Sequence, residues 1–256
     1  MSTGERKNTV IRVDGLSAAF NGTPVLKDIR FHVAEGEILT ILGGSGSGKT
    51  TLLKHLVGLY ESPAEVVSVY GRNPSRLKDR EERSFYHQIG VLYQNGALLN
   101  SMKVGENIGL PLEQNTKLPP SVISRIVHWK LDLVGLGPEV YHQFPSELSG
   151  GRLKRAALAR SIVMDPPLLF CDEPGAGLDP VTLARLDDLI RELSRQFGIT
   201  VVLVTHEVTS ILRLADRVLF LDRGAQIFEG TLEEARRSSR PALQEFFTIG
   251  TGHQLK

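Results

Sequence analysis

The stretch GGSGSGKT, Gly43 to Thr50, leaves few options for the chain around it. It fits G-x-x-x-x-G-K-[ST] and follows the apolar run EILTIL. It leads into KTTLLKHLVGLY, where Leu52, Leu53, Leu56, Val57 and Leu59 recur at helical spacing. A buried strand, a glycine loop and a helix in that order form one unit of an α/β sheet. Glycine lets successive backbone N–H groups converge on phosphate oxygens. The helix N-terminus adds about half a positive charge and Lys49 adds a full one. Gly43, Gly44, Ser45, Gly46, Ser47, Gly48, Lys49, Thr50 and Thr51 are therefore the expected phosphate-binding residues.

Magnesium accompanying a nucleoside triphosphate keeps most of its waters and takes one or two carboxylates. Thr50 offers a hydroxyl. The apolar strand in LLFCDEP supplies Asp172 at its end, with Glu173 beside it. Asp172 is expected on the metal side, and Glu173 as general base on an attacking water. This is the chemistry of a Mg²⁺-dependent nucleoside triphosphate hydrolase.

From Val10 to Glu37 the chain alternates apolar and polar residues around a turn at NGTP, which predicts an antiparallel sheet. After a polar, charged stretch, SRLKDREERSFYHQ, the run IGVLYQ predicts a further strand. PLLFCDEP and ITVVLVTHE predict two more, separated by the helix TLARLDDLIRELSRQFG. RVLFLDRGAQIFEG reads as a hairpin. Between Asn95 and Met164 helical periods dominate, in SVISRIVHWKLDLVGL and GGRLKRAALARSIVM. The expected organisation is one domain over 1–256. An α/β core with a β subdomain fills 8–94 and 161–240, a helical lobe is inserted at 95–160, and a tail with Phe246 and Phe247 covers 241–256.

Thirty Lys and Arg against 29 Asp and Glu leave no basic field of the kind a nucleic-acid binder uses. No apolar run approaches the ~18 residues of a membrane span. The lone Cys171 lies in an apolar run, and MSTGERKNTVIRV lacks the apolar core of a signal peptide, so a reducing cytoplasm is expected. Cys171 and Trp129 read as packing residues, and His55 and His128 as ordinary histidines.

A second anion-binding element complicates this picture. ELSGGRLKRAALAR sets Ser149, Gly150 and Gly151 before a basic amphipathic helix, yet one nucleotide has only one triphosphate to hold. Two elements make sense if the second closes over a nucleotide held by another copy. The constellation resembles the nucleotide-binding subunit of ABC transporters, whose LSGGQ signature has that role in a head-to-tail ATP sandwich dimer. The resemblance extends over nearly the whole chain. It implies a RecA-like P-loop NTPase core with an N-terminal antiparallel β subdomain and an inserted α-helical subdomain. It also implies two ATP and Mg²⁺ at a homodimer interface, and an integral membrane permease as partner. Phe20 sits where such subunits stack an aromatic on adenine, and Gln94 where a glutamine senses Mg²⁺ and water. Asp179 in GAGLDP resembles their dimer-bridging aspartate, and His206 their γ-phosphate-contacting switch histidine. Arg152 departs from the pattern by replacing the signature glutamine.

VLYQNGALLNSMKV is similar to the Gln-x-Gly-Ala-Leu pattern of ATPases serving Mla-type phospholipid transporters, also described as toluene-tolerance or organic-solvent-resistance systems. That group often lacks glutamine at the fifth signature position. This resemblance implies phospholipid transport between inner and outer membranes and a periplasmic lipid-binding component. It places the chain at the cytoplasmic face of the inner membrane, peripheral through the permease. Leu98, Leu99 and Met102 are the expected transmitters to that permease. The competing readings are another ABC transporter ATPase, for amino acid import or lipoprotein export, and a non-transport ABC ATPase of iron–sulfur cluster assembly.

Overall fold

The computed structural model describes residues 8–251. Residues 1–7 and 252–256, the first residues of the expected domain and the end of its tail, lie outside the described residues. The strands are β1 (Thr9–Phe20), β2 (Thr23–Ala34), β3 (Ile38–Leu42), β4 (Val67–Val69), β5 (Ile89–Leu92), β6 (Leu168–Asp172), β7 (Thr200–Val204), β8 (Arg217–Asp222) and β9 (Ala225–Thr231). They form one sheet in the order β4-β1-β2-β9-β8-β3-β7-β6-β5. Every residue of β3, β6 and β7 is buried, which their largely apolar sequences demand of strands covered on both faces. β3, β7, β6 and β5 pair in parallel, and β8 joins β3 in parallel. β1 instead alternates buried and exposed positions and pairs antiparallel with β2 and β4. The hairpin of β8 and β9 joins the two parts, because β9 also meets β2 through Lys27 and Ala225.

The helices are α1 (Lys49–Leu56), α2 (Asp79–Tyr86), α3 (Val104–Asn115), α4 (Pro120–Leu133), α5 (Gly150–Ser161), α6 (Pro180–Phe197), α7 (Val208–Leu214), α8 (Leu232–Arg237) and α9 (Pro241–Thr251). One apolar core joins α3, α4 and α5 to β5, β6, β7 and α6 through Leu92, Ile108, Val127, Leu158, Leu169, Leu186 and Leu203. A second core packs α1 between the opposite sheet face and the antiparallel part, through Leu52, Leu56, Ile11, Ile29, Phe170 and Val202. A third gathers Ile211, Phe220, Ala235 and Leu243 where α7, α8 and α9 meet β8.

Three local readings change. The polar stretch before β5 contains α2, tethered by fully buried Phe85. Within the lobe, α3 precedes the two expected helices and carries Pro111 inside it. Trp129 is not a packing residue: it is 48 % exposed on α4, with the Lys130 ammonium 4.3 Å from its ring centroid. Burial on α4 goes instead to Ile123, Val127 and Leu131, which share the face turned to the lobe core.

The lobe meets the sheet at an unusually close approach. A Cβ added at Gly90 of β5 would lie 2.2 Å from the carbonyl oxygen of Ser161 at the end of α5. Gly90→Ala is therefore expected to cost about 1–3 kcal/mol through overpacking, and to lower the melting temperature by about 2–4 °C per kcal/mol. Calorimetry showing an unchanged or raised melting temperature would refute this contact.

Candidate nucleotide-binding site

The ends of β3, β6 and β7 stand level, with Asp172 opposite Val204 and Val204 opposite Ile41. The segments that follow these strands therefore emerge along one edge, where open α/β sheets bind ligands. After β3 comes the loop of residues 43–48 and then α1, after β6 comes Glu173, and after β7 come Thr205 and His206. An open cavity of about 930 Å³ lies there, lined by the nine residues from Gly43 to Thr51 together with Gln94, Glu173 and His206.

Glycine is a steric requirement at two loop positions. A Cβ on Gly43 (φ 148°) would lie 2.1 Å from the carbonyl oxygen of Leu221; one on Gly48 (φ 100°) would lie 2.7 Å from Leu26. Gly48 caps α1 without a side chain and no acidic residue occupies the first turn. The first-turn N–H groups, which have no partner inside a helix, are left for an anion. Lys49 is buried and donates to the carbonyl oxygens of Gly43 at 2.8 Å and Gly44 at 3.0 Å. Burial lowers its pKa, while the charges of Glu173 and Asp172 oppose that shift.

Thr50 Oγ1 donates to Asp172 Oδ1 at 3.4 Å. Burial, reinforced by the charge of Glu173, pushes the Asp172 carboxyl above the usual carboxylate range. Glu173 has a left-handed backbone, φ 46°, a conformation that costs a residue with a Cβ about 1–2 kcal/mol. Its N–H, donated to Val204 O at 2.8 Å, holds it there. Glu173 Oε1 accepts from His206 Nδ1 at 2.9 Å, whereas its Oε2 is buried with no partner.

Other expected site residues stand differently. Gln94 lines the cavity but does not end a strand. β5 makes its last pair at Leu92 with Cys171, and the chain then turns, Gly96 N–H donating to Tyr93 O at 2.8 Å. Phe20 closes β1 half-exposed, its ring 5.1 Å from that of Tyr60, and does not line the cavity, whereas Val25 does. Ser149, Gly150, Gly151 and Asp179 also lie outside it. Asp179 caps α6, accepting from the N–H groups of Val181 at 3.1 Å and Thr182 at 3.0 Å. A Cβ on Gly151 would lie 2.4 Å from Thr182 Cγ2, so the N-termini of α5 and α6 stand together. Ser149 makes no side-chain cap bond to α5, and no acid occupies that first turn.

Sequence reasoning missed one wall of the cavity. Phe220, Asp222 and Arg223 from β8 and its turn, with Ala242, Glu245 and Phe246 of α9, line it. Phe246 meets Phe220 edge-on at 5.2 Å, and Leu243 is fully buried. The described part of the expected tail is thus packed on the core, an outcome that depends on tertiary contacts rather than on any local pattern.

The profile described as ABC transporter matches residues 26–176. The Mycobacterium leprae protein named "Probable ribonucleotide transport ATP-binding protein mkl" is 37 % identical over 236 residues, 92 % of this chain and 68 % of its own. "Methionine import ATP-binding protein MetN 2" of Rhodopseudomonas palustris is 37 % identical over 253 residues, 97 % of this chain and 66 % of its own. The chain spans about two thirds of the length of these relatives. Among solved structures, the ATP-binding cassette MJ0796, dimeric in a post-hydrolysis state with ADP and Pi, superposes with a TM-score of 0.78 at 27 % identity, covering 87 % of this chain and 98 % of that one. cbiO1 from Clostridium perfringens, part of the transporter complex cbiONQ, gives 0.79 at 27 % identity, covering 95 % and 96 %. With the phosphate loop, Asp172, Glu173 and His206 assembled on one sheet edge, these matches make the chain a member of the ABC transporter family, an ATP-hydrolysing subunit.

Proposed function

We propose that two copies of the chain close head-to-tail on two ATP molecules and drive a membrane permease that moves phospholipid. The hydrolytic part is carried by one observation: Glu173 spends Oε1 on His206 and leaves Oε2 buried, unpartnered and beside the phosphate loop. That free oxygen is placed to take a proton from water, as a general base must. Lys49 and the loop N–H groups hold the phosphates, and His206 keeps the base oriented from the cavity wall.

The donors also fit Mg²⁺. Burial and the neighbouring Glu173 raise the pKa of Asp172 in spite of the charges of Lys54 and Lys49, and the Thr50 hydroxyl lies against it. Among the described residues no three His, Cys, Asp or Glu side chains gather to hold a metal, which suits an ion completed by phosphates and water. Thr50, Asp172 and Gln94 would hold it, and when bound it would neutralise charge on the β- and γ-phosphates.

The dimer reading is supported by what the cavity lacks: Ser149 to Gly151 and Asp179 lie together but off it, a placement that suits a nucleotide held by a second copy. The permease reading is supported by a second groove of about 220 Å³ between core and lobe, lined by Tyr86, Tyr93, Ala97, Pro111 and Arg160. Leu98 packs into the lobe core, Met102 is half-buried, and Leu99 is 44 % exposed beside them. Fully buried Asn107 fixes this turn, accepting from Leu99 N–H at 2.7 Å and donating to the carbonyl oxygens of Leu99 and Met102, each at 3.0 Å. The segment from Gln94 to Ala97 runs from the ATP cavity to this groove.

The lipid reading is supported by the resemblance of that same segment to the Mla-type pattern. Exposing ten methylenes of a lipid tail to water costs about 8 kcal/mol, so the cargo needs an apolar path. No helix among the described residues is long and apolar enough to cross a membrane, and in this reading the permease supplies that path. The relative named for methionine import, matched over 97 % of this chain, favours amino acid import as a second reading.

Four outcomes are expected. Glu173→Gln lowers kcat by about 10²-fold or more while the protein still binds ATP and dimerises; near-normal turnover would overturn the assignment. Asp172→Asn melts higher than the parent at neutral pH without Mg²⁺. The raised carboxyl is stable protonated and loses stability as pH rises through its pKa, so the gap narrows on acidification. The same variant loses the extra stabilisation that Mg²⁺ adds to ATP; a lower melting temperature or intact Mg²⁺ response would count against the metal role. Affinity purification from native membranes in gentle detergent, read by protein and lipid mass spectrometry, yields a permease with phospholipid. A permease with an amino-acid-binding protein would replace the cargo, and a soluble cluster-assembly complex would remove transport.

A further inference from the structure

α5 begins at the signature residues Ser149 to Gly151 and ends against β5, and its buried side reaches the segment that carries Gln94. Lys154, 6 % exposed, donates from Nζ to the carbonyl oxygen of Gln94. Two turns later, Arg160 Nη1 donates to the carbonyl oxygen of Ala97 at 2.5 Å. Between them, a Cβ on Gly96 would lie 3.1 Å from Ala157 Cβ, so the segment rests on α5 itself. Gly96 (φ 75°) and Ala97 (φ 52°) are both left-handed there, and for Ala97 this is a strained backbone. A buried lysine is rare unless paired with an opposite charge. Lys154 spends its hydrogen bond on a neutral backbone oxygen, although it also feels the charge of Glu173. Such a contact fixes where the Gln94 backbone stands relative to one helix.

We infer that Lys154 is a positioning residue linking the two ATP sites: it holds Gln94 of its own cavity on the helix whose N-terminus reads the nucleotide of the partner copy. The inference rests on the head-to-tail dimer proposed above. When the partner's ATP draws on Ser149 to Gly151, α5 shifts as a rigid rod, and Lys154 and Arg160 carry residues 94–97 with it. Each site then acquires a correctly placed Gln94 only when the other site is filled.

The test uses the full chain with Lys154→Met, which keeps length and removes the donor, and Lys154→Arg, which restores a cation. In steady state, Lys154→Met is expected to lower kcat by about tenfold or more with the KM for ATP within about twofold. Its Hill coefficient for ATP falls from near 2 towards about 1, and Lys154→Arg restores it. The second readout is hydrogen exchange in a Glu173→Gln background. ATP protects peptides covering residues 43–51 and 93–98; adding Lys154→Met retains the first protection and loses the second. Where Lys154→Met fails to accumulate, Lys154→Gln, which shortens the reach of the donor, is held to the same outcomes. Retained cooperativity and retained protection of 93–98 would overturn the inference. So would a purely structural result, with lower melting temperature and faster exchange at 93–98 irrespective of ATP but an unchanged Hill coefficient. Sedimentation separates the two levels. Failure of Glu173→Gln to dimerise with ATP removes the dimer reading and the inference with it, whereas normal dimerisation with unchanged Lys154→Met behaviour removes the inference alone.

Discussion

Parallel pairing of β3 with β7 and of β7 with β6 is the constraint on which the rest of the molecule depends. A slip of one residue would turn every side chain of a strand to the other face, carrying Leu39 and Ile41 or Val202 and Val204 out of the core in which they are packed. The observed registers set Ile41, Val204 and Asp172 level. The phosphate loop, the carboxylate pair and His206 therefore meet although they lie far apart in sequence. A further contact locks this edge: the loop at Gly43 lies so near the Leu221 carbonyl of β8 that no side chain fits between them.

The same packing sets the electrostatics. Lys49 and Glu173 are buried at the cavity and Asp172 is buried behind Thr50, and burial works against the charge of Lys49 and of Asp172. Glu173 adds a strained backbone, with one carboxylate oxygen lacking a partner. Each of these is a local cost that a stable fold has no reason to keep, and they coincide where a triphosphate and a cation would relieve them. The N-terminus of α5, by contrast, carries unspent donors away from this cavity, which is why the arrangement reads as half of a two-chain site.

Sequence patterns revealed what depends on neighbours along the chain. The glycine loop needs a particular backbone, and the runs ILTIL, LLFCD and TVVLV could only be strands covered on both sides. What they hid depends on distant partners. The charges of α2 mask a helix anchored by Phe85, and Pro111 disguises α3. The junction of β9 with β2, the seat of Phe246 on Phe220, and the bond from Lys154 to Gln94 each join residues with no shared periodicity. Asp179 shows a related limit: its dimer-bridging role came by resemblance, while its own structure uses it as the cap of α6.

The central claim, that a complete ATP site needs two chains, is tested most directly by cysteine cross-linking. Cys171 is fully buried, and burial pushes its thiol pKa upward, so it contributes no background. Ser45 lines the cavity and Ser149 stands apart from it in the same chain. A mixture of Ser45→Cys and Ser149→Cys chains is predicted to form a disulfide between chains when ATP is present and hydrolysis is blocked by omitting Mg²⁺, and none without ATP. Absence of the cross-link under ATP, or its formation at equal yield without nucleotide, would contradict the account.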